Sequence, residues 1–176
     1  YVPAYTKILL EFDPRMVPDV RVIAPNLIRW LSTATGDVPP EGPVREIPVE
    51  LNGPDLARVA AWNGLTAEEV CRRFCEAVYR VHMLGFAPGF PYLGGLDSSL
   101  HTPRMPTPRR RVAAGSVAIG GAHCGIYPMD TPGGWNVIGH TSAQLFFPEH
   151  AAGAGGNGDQ DAFLLHPGDR VRFVRS

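Results

Sequence analysis

The sequence predicts a mainly β protein with an α/β N-terminal part. Three features of its 176 residues carry that expectation. Short apolar runs recur between glycines and prolines, the punctuation expected of many brief strands joined by turns. The 20 glycines and 18 prolines exceed ordinary usage, yet Val, Ile, Leu and aromatic residues are interspersed among them, so they belong to a folded chain and not to a linker. Helical spacing of apolar residues is confined to a few stretches in the first half.

Taken in order, Tyr5 to Phe12 (YTKILLEF) is a β-like run that stops at Asp13-Pro14, where proline and its predecessor leave regular structure. Val20, Ile23, Leu27, Trp30 and Leu31 recur at three- and four-residue intervals, which predicts a helix distorted at Pro25. The Gly- and Pro-rich stretch Thr35 to Val44 is the strongest boundary, dividing residues 1–43 from residues 44–176. Residues 1–43 are too few for a core of their own, and a start at Tyr1-Val2-Pro3 without methionine predicts an absent upstream part.

Val44 to Glu50 alternates as a strand, Asn52-Gly53-Pro54-Asp55 is a turn, and Leu56, Val59 and Ala60 open a helix. Thr66 with Glu69 forms a capping box for a second helix, whose buried stripe is expected at Val70, Phe74 and Val78. Val81 and Met83 enter a strand. Further strands are expected at Val112 to Ile119, interrupted by Gly115, at Gly125 to Tyr127, Trp135 to Ile138, Ala143 to Phe147, and Val171 to Val174. A closed or nearly closed β architecture buries so many short faces without long exposed edges. Ala151 to Gly158 (AAGAGGNG) lacks the Lys-Ser/Thr pair of a phosphate loop and is expected to be a surface loop.

The formal net charge of −1 and a single dense basic patch, Arg104 with Arg109 to Arg111, argue against broad nucleic-acid binding. No apolar run approaches the roughly 20 residues of a membrane-spanning helix. Three cysteines, an odd number, favour reduced thiols and a cytoplasmic location. No metal signature is present, Ser116 does not stand in a nucleophile elbow, and adjacency of His123 and Cys124 makes no dyad, so the catalytic residues remain unassigned.

The candidate site lies in two segments, LGFAPGFPYLGG from Leu84 to Gly95 and TPGGWNVIGHT from Thr131 to Thr141. Phe86, Phe90, Tyr92, Tyr127 and Trp135 form an apolar wall beside glycines that permit close backbone approach. Such a wall suits a small cyclic amide, the docking of another subunit, or plain core packing. Arg109 or Arg111 offers a two-pronged donor to a carboxylate or phosphate, and His140 a hydrogen bond to a polar ligand. Asp97 and Asp130 read chiefly as turn residues.

Several of these segments together carry a resemblance: Val81 to Gly95, the pairs Pro103-Arg104 and Pro108-Arg109, Ala114-Gly115-Ser116-Val117-Ala118-Ile119, Gly125-Ile126-Tyr127-Pro128, and Pro132-Gly133-Gly134-Trp135. As a set they resemble the allophanate hydrolase subunit 1 family, also described as the carboxyltransferase subdomain C and D family. The resemblance implies a cyclophilin-like β-barrel over residues 44–176, preceded in residues 1–43 by the remnant of a truncated ferredoxin-like α/β domain. It also implies a subunit of a heteromeric, ATP-dependent 5-oxoprolinase that opens 5-oxoproline to glutamate, with ATP bound mainly by or with a partner.

The implied partners are a companion resembling the carboxyltransferase second half and a third subunit of the lactam-utilisation family. Two other roles within the family stay open: a carboxyltransferase-type subunit of a biotin-dependent, urea carboxylase-like system, and a non-catalytic histidine-kinase inhibitor or scaffold. In this resemblance Phe86, Phe90 and Tyr92 shape one wall, Arg109 or Arg111 orients an anionic group, and Trp135 with His140 completes the opposite side. The chain departs from the family pattern at His140, where arginine is usual, at Val49 to Gly53, at Ala113-Ala114 and at Arg73-Phe74.

Overall fold

The computed structural model describes residues 2–4, 7–9, 13, 15–16, 19–33, 43–151 and 162–176. The chain divides into two compact units, Tyr1–Glu41 and Gly42–Ser176. In the first, β1 (Val2–Ala4) pairs antiparallel with β2 (Lys7–Leu9), and α1 (Val20–Thr33) continues through Pro25. Of the expected run Tyr5 to Phe12, the part outside β2 lies outside the described residues.

The second unit is built on one sheet. Its elements are β3 (Val44–Val49), α2 (Leu56–Asn63), α3 (Ala67–Glu76), β4 (Tyr79–Leu84), β5 (Pro91–Gly94), β6 (Arg109–Val112), β7 (Ser116–Gly120), β8 (His123–Ile126), β9 (Thr131–Gly133), β10 (Asn136–His140), α4 (Pro148–Ala151) and β11 (Arg170–Arg175). Seven strands run in the order β10-β7-β8-β5-β4-β11-β3, all antiparallel neighbours except β3 and β11, which are parallel. β6 and β9 form a separate antiparallel pair.

Beyond β3 the backbone turns the open sheet into a nearly closed barrel. Glu50 and His140 exchange two N–H···O bonds of 2.9 Å, Gly53 N–H donates to Ile138 O at 2.9 Å, and Asp55 N–H donates to Val137 O at 2.9 Å. One edge of the sheet is thereby joined to the other. Two glycines permit so close an approach: a Cβ on Gly53 would strike the Ile138 backbone, and one on Gly139 would strike the Glu50 carbonyl.

The helices form where local signals place them. Thr66 Oγ1 accepts from Glu69 N–H at 3.2 Å while Glu69 Oε2 accepts from Thr66 N–H at 2.9 Å, completing the capping box of α3. The helix buries Val70, Cys71 and Phe74 and ends at Glu76, so Val78 falls beyond it. Its Phe74 ring packs 5.3 Å from Tyr79 and 4.8 Å from Phe173, centroid to centroid, and the Tyr79 hydroxyl donates to Phe74 O at 2.8 Å. That trio ties α3 to β4 and β11 in the main core.

Several expected strands are altered. Val112 to Ile119 is two strands, because Gly115 at φ 78° turns the chain out of the small sheet and into the large one. Ala143 to Phe147 forms no ladder; Phe146 makes a single bridge to Phe163. The expected loop from Ala151 to Gly158 lies, apart from Ala151, outside the described residues. Among the described residues no helix is long and apolar enough to cross a membrane.

Closure at the glycine seam predicts that Gly53→Ala and Gly139→Ala each lower unfolding free energy by about 1–3 kcal/mol in urea titrations, because backbone and not a side-chain tip stands in the way. Gly134→Ala is the control: its added methyl meets nothing nearer than 3.6 Å, and it should stay within about 0.5 kcal/mol of wild type.

Candidate functional site

The loop between β4 and β5 delivers two phenylalanines in opposite ways. Gly85 N–H donates to Phe90 O at 3.1 Å and Phe90 N–H donates to Ala87 O at 3.0 Å, which folds the loop back on itself. Phe90 turns inward and is 2% exposed, whereas Phe86 stands outward at 60% exposure. Phe86 also has φ 73°, alone among the described non-glycine residues in the left-handed region. A bulky side chain costs free energy there, so the loop carries strain at the residue whose ring it presents.

Phe90 is the hub of the ring cluster. Its centroid lies 5.3 Å from Phe86, 5.2 Å from Tyr92, 5.2 Å from Tyr127 and 5.4 Å from Trp135, each pair tilted toward an edge-to-face arrangement. Its ring fits because β8 passes beneath it at Gly125, where a Cβ would meet both the Pro91 carbonyl and the Phe90 ring. Burial pushes the Tyr127 phenol up, so it stays protonated at neutral pH. Together the rings bound a recess of about 150 Å³, completed by Arg104, Met105, Pro108, Gly133 and Gly134.

Arg104 is the cation of this recess. Its guanidinium lies 5.5 Å from the Trp135 ring centroid. The backbone on either side is pinned to the turn between β9 and β10 that carries Trp135 and to the start of β10: Met105 N–H donates to Gly134 O at 2.6 Å, and Asn136 Nδ2 donates to Pro103 O at 3.0 Å. Asn136 is fully buried; its amide also donates to Ile119 O at 3.0 Å and accepts from Arg58 Nε at 2.9 Å.

The family model described as the carboxyltransferase domain, subdomain C and D, matches residues 1–154. The chain belongs to that family. It is 48% identical over 152 residues to a protein from Escherichia coli O157:H7 that is named as a 5-oxoprolinase subunit, an alignment covering 85% of this chain and 65% of that protein. The chain thus spans slightly under two thirds of that relative's length. A conserved uncharacterized protein from Pyrococcus horikoshii superposes with a TM-score of 0.66 at 36% identity, over 89% of this chain and 65% of that one. The Kluyveromyces lactis urea carboxylase shares the fold, with a TM-score of 0.69 at 20% identity over 89% of this chain and 16% of that one.

In this carboxyltransferase-family chain the structure brings together Phe86, Phe90, Tyr92 and Trp135 of the sequence-predicted site, and places Arg109, Arg111 and His140 elsewhere. Arg109, on β6, donates to Asp55 Oδ1 at 2.6 Å, with side-chain exposures of 31% and 7% for the pair. Arg111 is ion-paired with Asp130 on the exposed face of the small sheet, and that guanidinium, after the Ala114 backbone N–H, holds the Asp130 carboxyl below its usual range. His140 is exposed at the end of β10, its Nε2 3.2 Å from Ala114 O.

Pattern reading misses Arg104 as a lining residue and two buried polar side chains. Asp55, in a turn and before a helix, looks like an exposed cap; instead its second oxygen accepts from Val137 N–H at 2.7 Å and no side-chain cap forms. Asn136 carries no local signal apart from following Trp135. The three cysteines are free, and burial pushes each thiol up, most of all that of fully buried Cys124, which disfavours a nucleophilic thiolate. Among the described residues no three His, Cys, Asp or Glu side chains gather as metal ligands.

Removing the Asp55 carboxylate strands a half-buried guanidinium and an interior N–H together. Asp55→Ala should therefore destabilise the protein by about 3 kcal/mol or more in chemical denaturation. Arg111→Ala, at an exposed pair, should leave the unfolding midpoint indistinguishable from wild type.

Proposed function

We propose that this chain is a cytoplasmic subunit of a heteromeric, ATP-dependent 5-oxoprolinase. The observation that carries the reading is its 48% identity to a 5-oxoprolinase subunit of Escherichia coli O157:H7 over 85% of its own length. In this reading residues 44–176 are a cyclophilin-like barrel and residues 1–43 belong to a ferredoxin-like α/β domain. The partners are a carboxyltransferase second-half subunit and a lactam-utilisation-family subunit.

The recess supports the assignment physically. A compact lactam presents a flat ring that edge-on and tilted aromatic walls accommodate, and Phe90 with Tyr127 gives those walls a buried, water-poor floor. Phe86, Phe90, Tyr92 and Trp135 bind and orient the ring in this scheme, while Arg109 braces β6 through Asp55. In this reading ATP is bound mainly by or with a partner, and no step involving it is assigned to these residues.

The test is reconstitution. Glutamate release from 5-oxoproline should require ATP, this chain and both companions, and should disappear when any one is omitted; a verified complete assembly that releases none rejects the reading. Biotin-dependent carboxyl transfer by the same assembly would point instead to the urea carboxylase-like role, whose fold this chain shares.

A further inference from the structure

We propose that Arg104, whose guanidinium lies over the Trp135 ring, is the carboxylate-binding residue of the aromatic recess and makes it selective for lactam acids over neutral lactams. The inference deepens the 5-oxoprolinase reading and rests on it for the lactam, although the carboxylate preference follows from the geometry of the recess itself.

Four observations converge on Arg104. It is the one charged side chain lining the recess among the described residues, the other walls being rings, Met105, proline and glycine backbone. Of its neighbours in the basic patch, Arg109 is engaged by Asp55, Arg111 by Asp130, and Arg110 does not line the recess, whereas among the described residues no carboxylate pairs with Arg104. A cation–π contact with Trp135 uses no N–H donor of the guanidinium in a hydrogen bond to an acid, so its fork remains available to a carboxylate. Finally, the hydrogen bonds from Met105 N–H and from the Asn136 amide fix the backbone on both sides of Arg104, so its side chain springs from a set point on the rim of the recess.

The neighbouring rings set where a ligand of the fork lies. A carboxylate at Arg104 sits beside the Trp135 and Phe86 rings, at the mouth of the recess. The lactam ring then falls against the Phe90 hub. Arg104 itself is exposed, on the rim, so its replacement does not disturb the core.

The experiment follows the Trp135 indole N–H by nuclear magnetic resonance, identified with Trp135→Phe, while 5-oxoproline or neutral 2-pyrrolidinone is titrated into the protein, alone and with its companions. Wild type should bind the acid at least about tenfold more tightly than the neutral lactam. Arg104→Gln should abolish that preference, and Arg104→Lys, which keeps charge but loses the fork, should retain only part of it. Equal affinities in wild type, absence of binding in every preparation, or a preference surviving in Arg104→Gln would overturn the proposal. In the complete assembly Arg104→Gln should raise KM for 5-oxoproline at least about tenfold and leave KM for ATP unchanged. Turnover with an unaltered KM leaves the 5-oxoprolinase reading standing and removes Arg104; Arg104-dependent binding without any glutamate release does the reverse.

Discussion

The pairing of residues Glu50 to Asp55 with β10 is the contact on which the second unit turns. It converts a sheet with two open edges into a barrel using backbone hydrogen bonds, and it leaves no room for a side chain at Gly53 or Gly139. Closure of this kind satisfies the polar groups that an edge would expose and fixes which residues can meet across the interior.

The recess is assembled from that seam outward. Asp55, carried beneath β10, takes Val137 N–H and Arg109 and so couples the start of α2 to β10 and β6. One residue along, Asn136 ties β7 and the Pro103 carbonyl to the same strand, and Trp135 beside it receives Arg104. A structural ion pair and a ligand-facing cation are therefore produced by two arginines in one basic run, and what separates their roles is whether an acid already covers them.

Much of this was legible in the sequence because its causes are local. The Thr66 and Glu69 box lies within one helical turn, and the glycines and prolines around Phe86, Phe90 and Trp135 shape the very loops that gather those rings. The expectation that Arg109 or Arg111 orients an anionic group did not foresee the ion pair of Arg109 for the opposite reason: its partner Asp55 is 54 residues away and is buried only once the barrel closes. Ala143 to Phe147 misled in a similar manner, since its apolar pattern matches a strand while its hydrogen bonds reach only the short stretch near Phe163. Composition along a chain reports which residues want cover, not which distant segment supplies it.

β11 lies between β4 and β3, parallel to the strand that opens the unit although it is the last strand described. The pairing of β3 and of one side of β4 therefore waits on Arg170–Arg175, the most distant strand in sequence, and the barrel closes only once that segment joins. Distant pairing slows this final step, and during the delay the waiting strands are exposed to intermolecular capture. Where one strand was placed thus sets how long its neighbours wait for cover.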